Sequence, residues 1–277
     1  MKQEIRGKIL ITGASGFIGA NLIESAKEHN PVGITTQERL REEKNLVKCD
    51  LTNHIDLKKI IRDINPDIIY HFAALTIPQR NEQNPGDARS LNVGITEKLI
   101  KAIDTQKTHI VFLSTDKVFD GSMVDPDERS ETNPLWVYGS LKLECEKLIE
   151  NNIDKYHIIR LPIVHSCGEA HSASFIDEAL INLKNGKQIK AFKNVKRCYV
   201  KLCELINLLK MLIVDTHYGT YHAGSALMSY YERIIMLSKE NGIDYEENLI
   251  PMQGNAKPLV QNLNTNKLEQ TFNFSFS

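Results

Sequence analysis

The sequence is poor in the features that mark several classes of protein. Its 277 residues hold one tryptophan, 7% aromatic residues and a formal net charge of −1. A charge so near zero gives no general attraction to nucleic acid or to anionic lipid. No stretch approaches the roughly twenty apolar residues of a membrane span. The apolar run behind Lys2, Arg6 and Lys8 ends at Ile11, which is too early for a signal peptide. We therefore expect no nucleic-acid partner and no membrane partner.

Cysteine is also scarce. The five cysteines are odd in number, are scattered along the chain and include no C-x-x-C pair: Cys49, Cys145, Cys167, Cys198 and Cys203. This usage is typical of reduced thiols in a cytosol. We expect a cytoplasmic protein with reduced thiols and with no metal site.

A glycine-rich turn follows the first apolar stretch. Residues 8–23 read Lys-Ile-Leu-Ile-Thr-Gly-Ala-Ser-Gly-Phe-Ile-Gly-Ala-Asn-Leu-Ile, with three glycines at the spacing G-x-x-G-x-x-G. Such glycines allow a turn with positive φ, a close approach of backbone to pyrophosphate, and tight packing of helix on strand. The amides of the following helix start suit a diphosphate. We predict a dinucleotide site at Gly13, Gly16, Phe17, Ile18 and Gly19.

Strand and helix patterns alternate after this turn. Short apolar strands are predicted at 32–35, 46–50, 67–75, 109–116 and 156–164, and helices at 18–27, 56–64, 90–105 and 138–151. This alternation predicts an α/β protein with a Rossmann-type doubly wound parallel sheet.

The pattern changes after the last of these strands. We expect an NAD(P)-binding Rossmann domain over residues 1–165, to which 199–222 return, and a smaller C-terminal α/β substrate lobe over 166–277. Within these domains, we predict a loop at 76–89 and irregular structure over 242–277, where proline and polar residues are frequent.

The end of the second strand predicts which dinucleotide is bound. A carboxylate at this place selects NAD through the ribose 2′-hydroxyl. Here the place is taken by Thr35 and Thr36, with Arg39 following. Hydroxyls and a guanidinium suit a 2′-phosphate, so NADP(H) is favoured and NAD(H) is the alternative. A solvated charged loop accounts equally well for residues 37–45, which include Glu38.

Three patterns together resemble the extended short-chain dehydrogenase/reductases: the glycine turn, Thr115 at a strand end, and Tyr138-x-x-x-Lys142. Tyr and Lys four apart on a helix are, by themselves, usually plain amphipathic packing. Residues 114–121, Ser-Thr-Asp-Lys-Val-Phe-Asp-Gly, are similar to the S-T-D-Y-V-F-D-G stretch of the dTDP-4-dehydrorhamnose reductases. The similarity extends from Lys8 to about Ser225, through Asp50-Leu51, Phe72-Ala-Ala-Leu75, Leu91-Asn-Val93, Arg197-Cys-Tyr-Val200 and Gly219-Thr-Tyr-His-Ala-Gly224.

The resemblance implies a reductase of the 4-keto group of a nucleotide-linked deoxysugar in carbohydrate biosynthesis. Thr115 would then bind the substrate oxygen, and Tyr138 would donate a proton. Lys142 would lower the pKa of Tyr138 and hold the nicotinamide ribose, since a nearby ammonium stabilises a phenolate. The implied cofactor contacts further include Asp50, Leu51, Ala73, Ala74 and Leu75, and a homodimer is common in such families.

The implied substrate site is less regular than the implied catalytic site. Its candidates are Asp116, Lys117, Val118, Phe119 and Arg197. Lys117 replaces the tyrosine usual in the family, and residues 163–165, Ile-Val-His, replace its usual tyrosine-glycine ending. Arg197 lies in a basic stretch, 184–201, that fits either a solvated face or a substrate diphosphate.

Two other functions are compatible with the same patterns. A sugar-nucleotide epimerase or dehydratase would use the same three residues with a tightly retained NAD. A non-catalytic NADP-binding regulatory subunit would resemble the same branch, as a regulatory subunit of methionine adenosyltransferase does.

Overall fold

The computed structural model describes residues 8–36, 45–167, 174–254 and 260–277. The chain forms two compact units, each built from three segments. Unit 1 comprises Met1–Val118, Asn133–Arg160 and Ile206–Tyr221, and unit 2 comprises Phe119–Thr132, Leu161–Leu205 and His222–Ser277. Residues 119–132 belong to unit 2 because Glu128 accepts a hydrogen bond from the His222 amide at 2.8 Å and Asp125 accepts one from Asn262 at 2.8 Å.

A seven-stranded sheet forms the centre of unit 1. Its strands are β1 (Ile9–Thr12), β2 (Val32–Thr35), β3 (Leu46–Lys48), β4 (Ile68–His71), β5 (His109–Thr115), β6 (Tyr156–Leu161) and β11 (Gly219–His222). Their order across the sheet is β11-β6-β5-β4-β1-β2-β3. The chain therefore winds outwards from β1 in both directions, which confirms the predicted Rossmann-type doubly wound fold.

The register of the central strands is parallel. In β1, Ile11 pairs with Gly33 of β2 and with Tyr70 of β4, and β2–β3 and β4–β5 are parallel as well. Carboxyl ends of neighbouring strands consequently lie along one edge of the sheet. Open α/β sheets bind their ligands at this edge.

Helices cover this sheet, and its central strands β1, β4 and β5 are buried along their whole length. They are α1 (Phe17–Ser25), α2 (His54–Ile64), α3 (Pro78–Gln83), α4 (Pro85–Ala102), α5 (Val137–Asn152) and α7 (Leu202–Met211), of which α7 joins unit 1 at Ile206. One buried cluster joins Leu10 and Ile69 to Leu57 of α2 and Leu99 of α4. A second cluster joins β5 to α5, and Tyr70 donates a hydrogen bond from its hydroxyl to the Leu209 carbonyl of α7 at 2.7 Å.

Unit 2 contains the remaining elements: β7 (Ile163–His165), α6 (Phe175–Lys184), β8 (Ile189–Phe192), β9 (Lys196–Arg197), β10 (Tyr199–Lys201), β12 (Met228–Ser229), α8 (Tyr230–Glu240), β13 (Leu249–Met252), β14 (Val260–Gln261) and α9 (Asn266–Phe272). Strand β7 pairs with β10, β8 with β13, and β9 lies between β12 and β14. Apolar side chains of α6 and α8 form the core with Tyr199 and Leu249. Both helices have N-caps, from Ser174 and Ser229.

Two sequence predictions of irregular structure are wrong. Residues 76–89 contain α3 and the first turn of α4, both begun by proline, a residue that suits the first helical position. Residues 242–277 contain β13, β14 and α9, and Phe274 packs against Phe276 with ring centroids 5.1 Å apart. Strands this short are too brief to show the alternation of apolar and polar residues from which a strand is predicted.

The prediction that all five thiols are reduced is also wrong. Cys167 and Cys203 form a disulfide, while the thiols of Cys49, Cys145 and Cys198 are reduced and buried. The disulfide was not predicted because Cys167 and Cys203 are 36 residues apart in sequence, and only the pairing of β7 with β10 places them side by side. Within the described residues, no helix has both the length and the apolar character needed to cross a membrane.

Candidate active site

The turn between strand β1 and helix α1 requires glycine, because a Cβ would collide with neighbouring backbone there. Gly13 has a φ of +68°, and a Cβ there would lie 2.8 Å from the Ala73 nitrogen. A Cβ at Gly19 would collide with the Gly13 carbonyl. Gly16 is the N-cap of α1, whose first turn has neither a side-chain cap nor an acidic residue. The first-turn amides, at Phe17, Ile18 and Gly19, thus suit an anion.

A buried hydrogen-bonded chain joins the ends of β1 and β4 beside this turn. The Thr12 hydroxyl accepts bonds from the amides of Phe72 (3.1 Å) and Ala73 (3.2 Å). It also contacts His71 Nδ1 at 2.8 Å, and His71 Nε2 lies 3.0 Å from the Thr96 hydroxyl. With both lone pairs of Thr12 used by amides, its proton goes to Nδ1, so His71 is neutral with its proton on Nε2. Burial, together with the nearby charge of Lys142, lowers the pKa of His71 to about 3.

Residues after β4 are held by two asparagines that the sequence did not single out as site residues. Asn92 accepts a hydrogen bond from the Leu75 amide at 2.6 Å. Asn81 donates to the carbonyls of Leu75 (3.1 Å) and Ile77 (2.8 Å). This fixes residues 73–75, Ala-Ala-Leu, opposite the glycine turn. Asn92 is the asparagine of the quoted Leu91-Asn-Val93 pattern, and that pattern is the signal that could have found it.

The predicted adenosine contacts lie at the ends of β2 and β3. Thr35 is buried and Thr36 is exposed. Asp50 accepts hydrogen bonds from the amide and hydroxyl of Thr52, which hold its pKa below the usual range, and Leu51 lies in the apolar core. Arg39 lies outside the described residues, so its predicted role stays a prediction.

Thr115 ends β5 at the carboxyl edge of the sheet. Its hydroxyl accepts a hydrogen bond from the Lys117 amide and donates to Asp116 Oδ1, each at 3.2 Å. Helix α5 begins directly against this turn, since a Cβ at Gly139 would collide with the Lys117 carbonyl. Glycine at 139 therefore allows the first turn of α5, with Tyr138, to approach Thr115 and Asp116.

Tyr138 and Lys142 lie one turn apart on α5. Burial and the negative charge of Asp116 raise the pKa of Tyr138 well above its usual value. Lys142 is buried, donates to the Leu113 carbonyl at 2.8 Å and lies 4.4 Å from the centre of the Phe112 ring. Burial lowers the pKa of Lys142 to about 8. The lowered phenol pKa that the resemblance implied is thus not found here, because burial and Asp116 act in the opposite direction.

One further turn along α5 lies a carboxylate that the sequence reasoning missed. Glu146 accepts hydrogen bonds from Arg160 Nη2 at 2.8 Å and from Arg160 Nε at 3.1 Å, and also from the Ser114 hydroxyl. All three residues are buried. The pair ties α5 to β6 and to the residue before Thr115. The sequence offered one indication of Glu146, which is its position four residues after Lys142 on the same face of the helix.

The candidate substrate residues fall in different places. Asp116 and Val118 are buried and Lys117 is half-buried in the turn after β5. Phe119 belongs to unit 2, where it packs edge-on against His222 with ring centroids 5.6 Å apart. Arg197, also in unit 2, is half-buried on the middle strand of its three-stranded sheet. Among the residues that the structure describes, none accepts a hydrogen bond from its guanidinium. These substrate assignments stay predictions.

The comparison with known families covers nearly the whole chain. Residues 7–276 match the model of the family described as the RmlD substrate binding domain. Of solved structures, the dTDP-4-dehydrorhamnose reductase from Bacillus anthracis in complex with NADP is 23% identical, with a TM-score of 0.84 over 98% of this chain and 94% of that chain. This likeness supports the observed fold.

Curated relatives carry two kinds of name. Methionine adenosyltransferase 2 subunit beta from Bos taurus is 32% identical over 57% of this chain and 47% of the relative. The dTDP-4-dehydrorhamnose reductase from Salmonella typhimurium is 33% identical over 57% of this chain and 52% of the relative. The matched stretch thus spans about half the length of each of these relatives.

Proposed function

The chain belongs to the family of the RmlD substrate binding domain, and from this premise we propose that it is an oxidoreductase that reduces the 4-keto group of a nucleotide-linked deoxysugar. NADPH is the favoured cofactor and NADH the alternative. One observation carries the proposal: a bare glycine turn shares a compact unit with Thr115, Tyr138 and Lys142, on a strand end and the helix packed against it.

The residues around the glycine turn fit a dinucleotide. Glycine at positions 13 and 19 lets the turn pack tightly, because a Cβ there would collide with the backbone of Ala73 or of Gly13, and the uncapped first turn of α1 favours an anion such as a pyrophosphate. When bound, the nicotinamide supplies the hydride. Residues that would contact the remainder of the cofactor are Thr35, Thr36, Arg39, Asp50, Leu51, Ala73, Ala74 and Leu75.

Tyr138 is the proton donor in this proposal. A raised pKa keeps its phenol protonated at neutral pH, which is the state that a donor to the reduced oxygen requires. Thr115 would turn its hydroxyl from Asp116 towards the substrate oxygen. Lys142 has three N–H donors, and the Leu113 carbonyl takes one. Another would hold the nicotinamide ribose.

The substrate class rests on unit 2. Arg197 has a guanidinium that can bind two phosphate oxygens at once, and it lies in a stretch with lysines at 190, 193, 196 and 201. Such a stretch suits the diphosphate of a sugar nucleotide. Lys117 places a charge where the family has an aromatic ring, so the sugar bound by this chain would contact an ammonium group there instead of a tyrosine ring.

The direct test is NADPH consumption with a panel of 4-keto sugar nucleotides. We expect loss of NADPH absorbance with at least one member, and a loss at least about a hundredfold slower with the Tyr138→Phe variant as the matched control. Binding of NADPH without turnover of any member would contradict the reductase function. One equivalent of NAD that survives gel filtration would instead favour the epimerase or dehydratase.

A second candidate is a non-catalytic, dinucleotide-binding regulatory subunit. Several curated relatives carry the name methionine adenosyltransferase 2 subunit beta, which favours this candidate. Co-purification with a catalytic partner, together with absent turnover on the panel, would support it. The retention of Thr115, Tyr138 and Lys142 supports the reductase.

A further inference from the structure

The disulfide between Cys167 and Cys203 in unit 2 lies just beyond the ends of two paired parallel strands, β7 and β10. Ile163 of β7 pairs with Tyr199 of β10, and His165 pairs with Lys201. Cys167 lies two residues after His165, and Cys203 lies two residues after Lys201. The strand register therefore places the two cysteines side by side. Their Cα atoms are 6.0 Å apart, and the Cys203 amide lies 3.0 Å from the Cys167 sulfur.

The two disulfide-bonded cysteines differ from the three reduced ones in their access to solvent. Cys167 and Cys203 are exposed, whereas Cys49, Cys145 and Cys198 are 4%, 1% and 1% exposed. Thiol–disulfide exchange requires that an attacking thiolate reach a sulfur atom. Small thiols and disulfides can therefore reach this pair while the other cysteines are protected.

The backbone on both sides of the disulfide is held by other contacts. The buried Asp177 carboxylate accepts hydrogen bonds from the Ser166 amide (3.1 Å), the Ser166 hydroxyl (3.1 Å) and the Ser174 hydroxyl (2.8 Å). Cys203 lies in the first turn of α7, where a helix N-terminus favours the thiolate form. The β7–β10 ladder and Asp177 would thus keep the two sulfurs close after reduction, and this closeness favours reversible closure.

We propose that Cys167 and Cys203 are a reversible thiol–disulfide site that couples the stability of unit 2 to the thiol redox state. The thiolate of one cysteine attacks a low-molecular-weight disulfide and forms a mixed disulfide, releasing one small thiol. The second cysteine attacks the protein sulfur of that mixed disulfide and releases the other small thiol. Two protein thiols are oxidised, one small disulfide is reduced to two thiols, and the two protons pass to those thiols.

The segment closed by the disulfide contains α6, β8, β9 and β10, which supply much of the core of unit 2. Closing a loop of this length restricts the unfolded chain, so the oxidised protein is expected to unfold at a higher temperature. Arg197 lies inside the closed segment. A lower substrate KM in the oxidised protein would follow from its placement there, and this part alone rests on the proposed function.

The test equilibrates the full chain in buffers of graded oxidised and reduced glutathione. Thiols are trapped with N-ethylmaleimide under denaturing acid quench, and adducts are counted by intact mass. We expect five adducts in reducing buffer and three in oxidising buffer, in one two-electron step. The Cys198→Ala variant should give four and two. The oxidised wild type should unfold about 5–15 °C above the reduced form, whereas Cys167→Ser/Cys203→Ser should unfold at one temperature in both buffers.

Five adducts in every buffer would overturn the proposal, as would three adducts that no excess of small thiol converts to five. Equal unfolding temperatures of the two wild-type forms would overturn the coupling to stability. None of these outcomes depends on turnover, so failure of the reductase function is scored separately by the sugar-nucleotide panel.

Discussion

Glu146 and Arg160 form a buried two-point ion pair, with Arg160 Nη2 at 2.8 Å from Glu146 Oε2 and Nε at 3.1 Å from Oε1. Their side chains are 2% and 6% exposed. Glu146 lies one turn beyond Lys142 on α5, and its hydrogen bond from Ser114 reaches the residue before Thr115. The pair therefore holds α5 beside Lys142 and β5 beside Thr115.

Removing one member of this pair should destabilise the protein strongly. Glu146→Gln leaves the Arg160 charge buried without its counter-ion, at a cost of about 3–5 kcal/mol. Urea unfolding measures the loss. The double variant Glu146→Met/Arg160→Met is the control and should lose much less, because no charge is left buried. Equal losses in the two variants would show that packing, not charge, holds α5 to β6.

Replacing Tyr138 by Phe should separate binding from turnover. The phenol hydroxyl is needed chiefly for proton transfer, and general acid catalysis contributes about 10²–10⁴-fold. We expect kcat to fall by that factor while the Kd for NADPH, measured by fluorescence, changes little. A variant with near-normal turnover would restrict Tyr138 to packing.

Cofactor preference can be tested at Arg39, which was predicted from the sequence alone. Arg39→Ala should weaken NADPH binding by roughly ten- to over a hundredfold, as expected for a charge-assisted contact of about 1.5–3 kcal/mol. NADH has no 2′-phosphate, so its affinity should hardly change. Equal losses for both cofactors would remove Arg39 from the site.

Arg197 is expected to bind the substrate and not the cofactor. Arg197→Lys should already raise the substrate KM, because an ammonium replaces a two-point contact by a point charge. Arg197→Ala should raise it further with the affinity for NADPH unchanged. Lys196→Ala, which removes an exposed neighbouring cation on the same strand, is the matched control. Wild-type kinetics for Arg197→Ala would refute the assignment.

Three buried histidines should make the fold sensitive to acid. Burial lowers the pKa of His71 and of His109 to about 3 each and that of His165 to about 4. The unfolded chain takes up these protons near pH 6.5, so between about pH 6 and pH 4 it binds more protons than the folded protein. Stability should then fall with falling pH, by up to about 4 kcal/mol per pH unit for three groups.

The contacts of these histidines explain why they resist protonation. His71 faces the hydroxyls of Thr12 and Thr96, and His109 Nε2 lies 2.7 Å from His157 Nδ1. His165 Nε2 accepts a hydrogen bond from Arg233 at 2.6 Å. Urea unfolding at several pH values measures the slope, and His109→Gln should reduce it by about one third. A stability independent of pH between 6 and 4 would contradict the prediction.

The sequence predicted the centre of the large sheet well because β1, β4 and β5 are fully buried and mainly apolar. It predicted one strand over 156–164, but Pro162 lacks the amide that a ladder needs, and the segment divides into β6 and β7 of different sheets. The glycine turn, Tyr138 and Lys142 were found because their spacing is local. His71 and Glu146 were missed because their partners lie on other strands and, for His71, on helix α4.

The last strand of the large sheet is encoded far from its neighbour. Strand β11 lies beside β6 at the edge of the sheet, yet almost 60 residues, most of them in unit 2, separate the end of β6 from its start. At about 5–20 residues per second of synthesis, β6 would leave the ribosome several seconds before β11. Until then β6 has an open hydrogen-bonding edge, which is where a nascent chain is prone to associate with another copy. A chaperone that binds this protein during translation would be needed most in that interval.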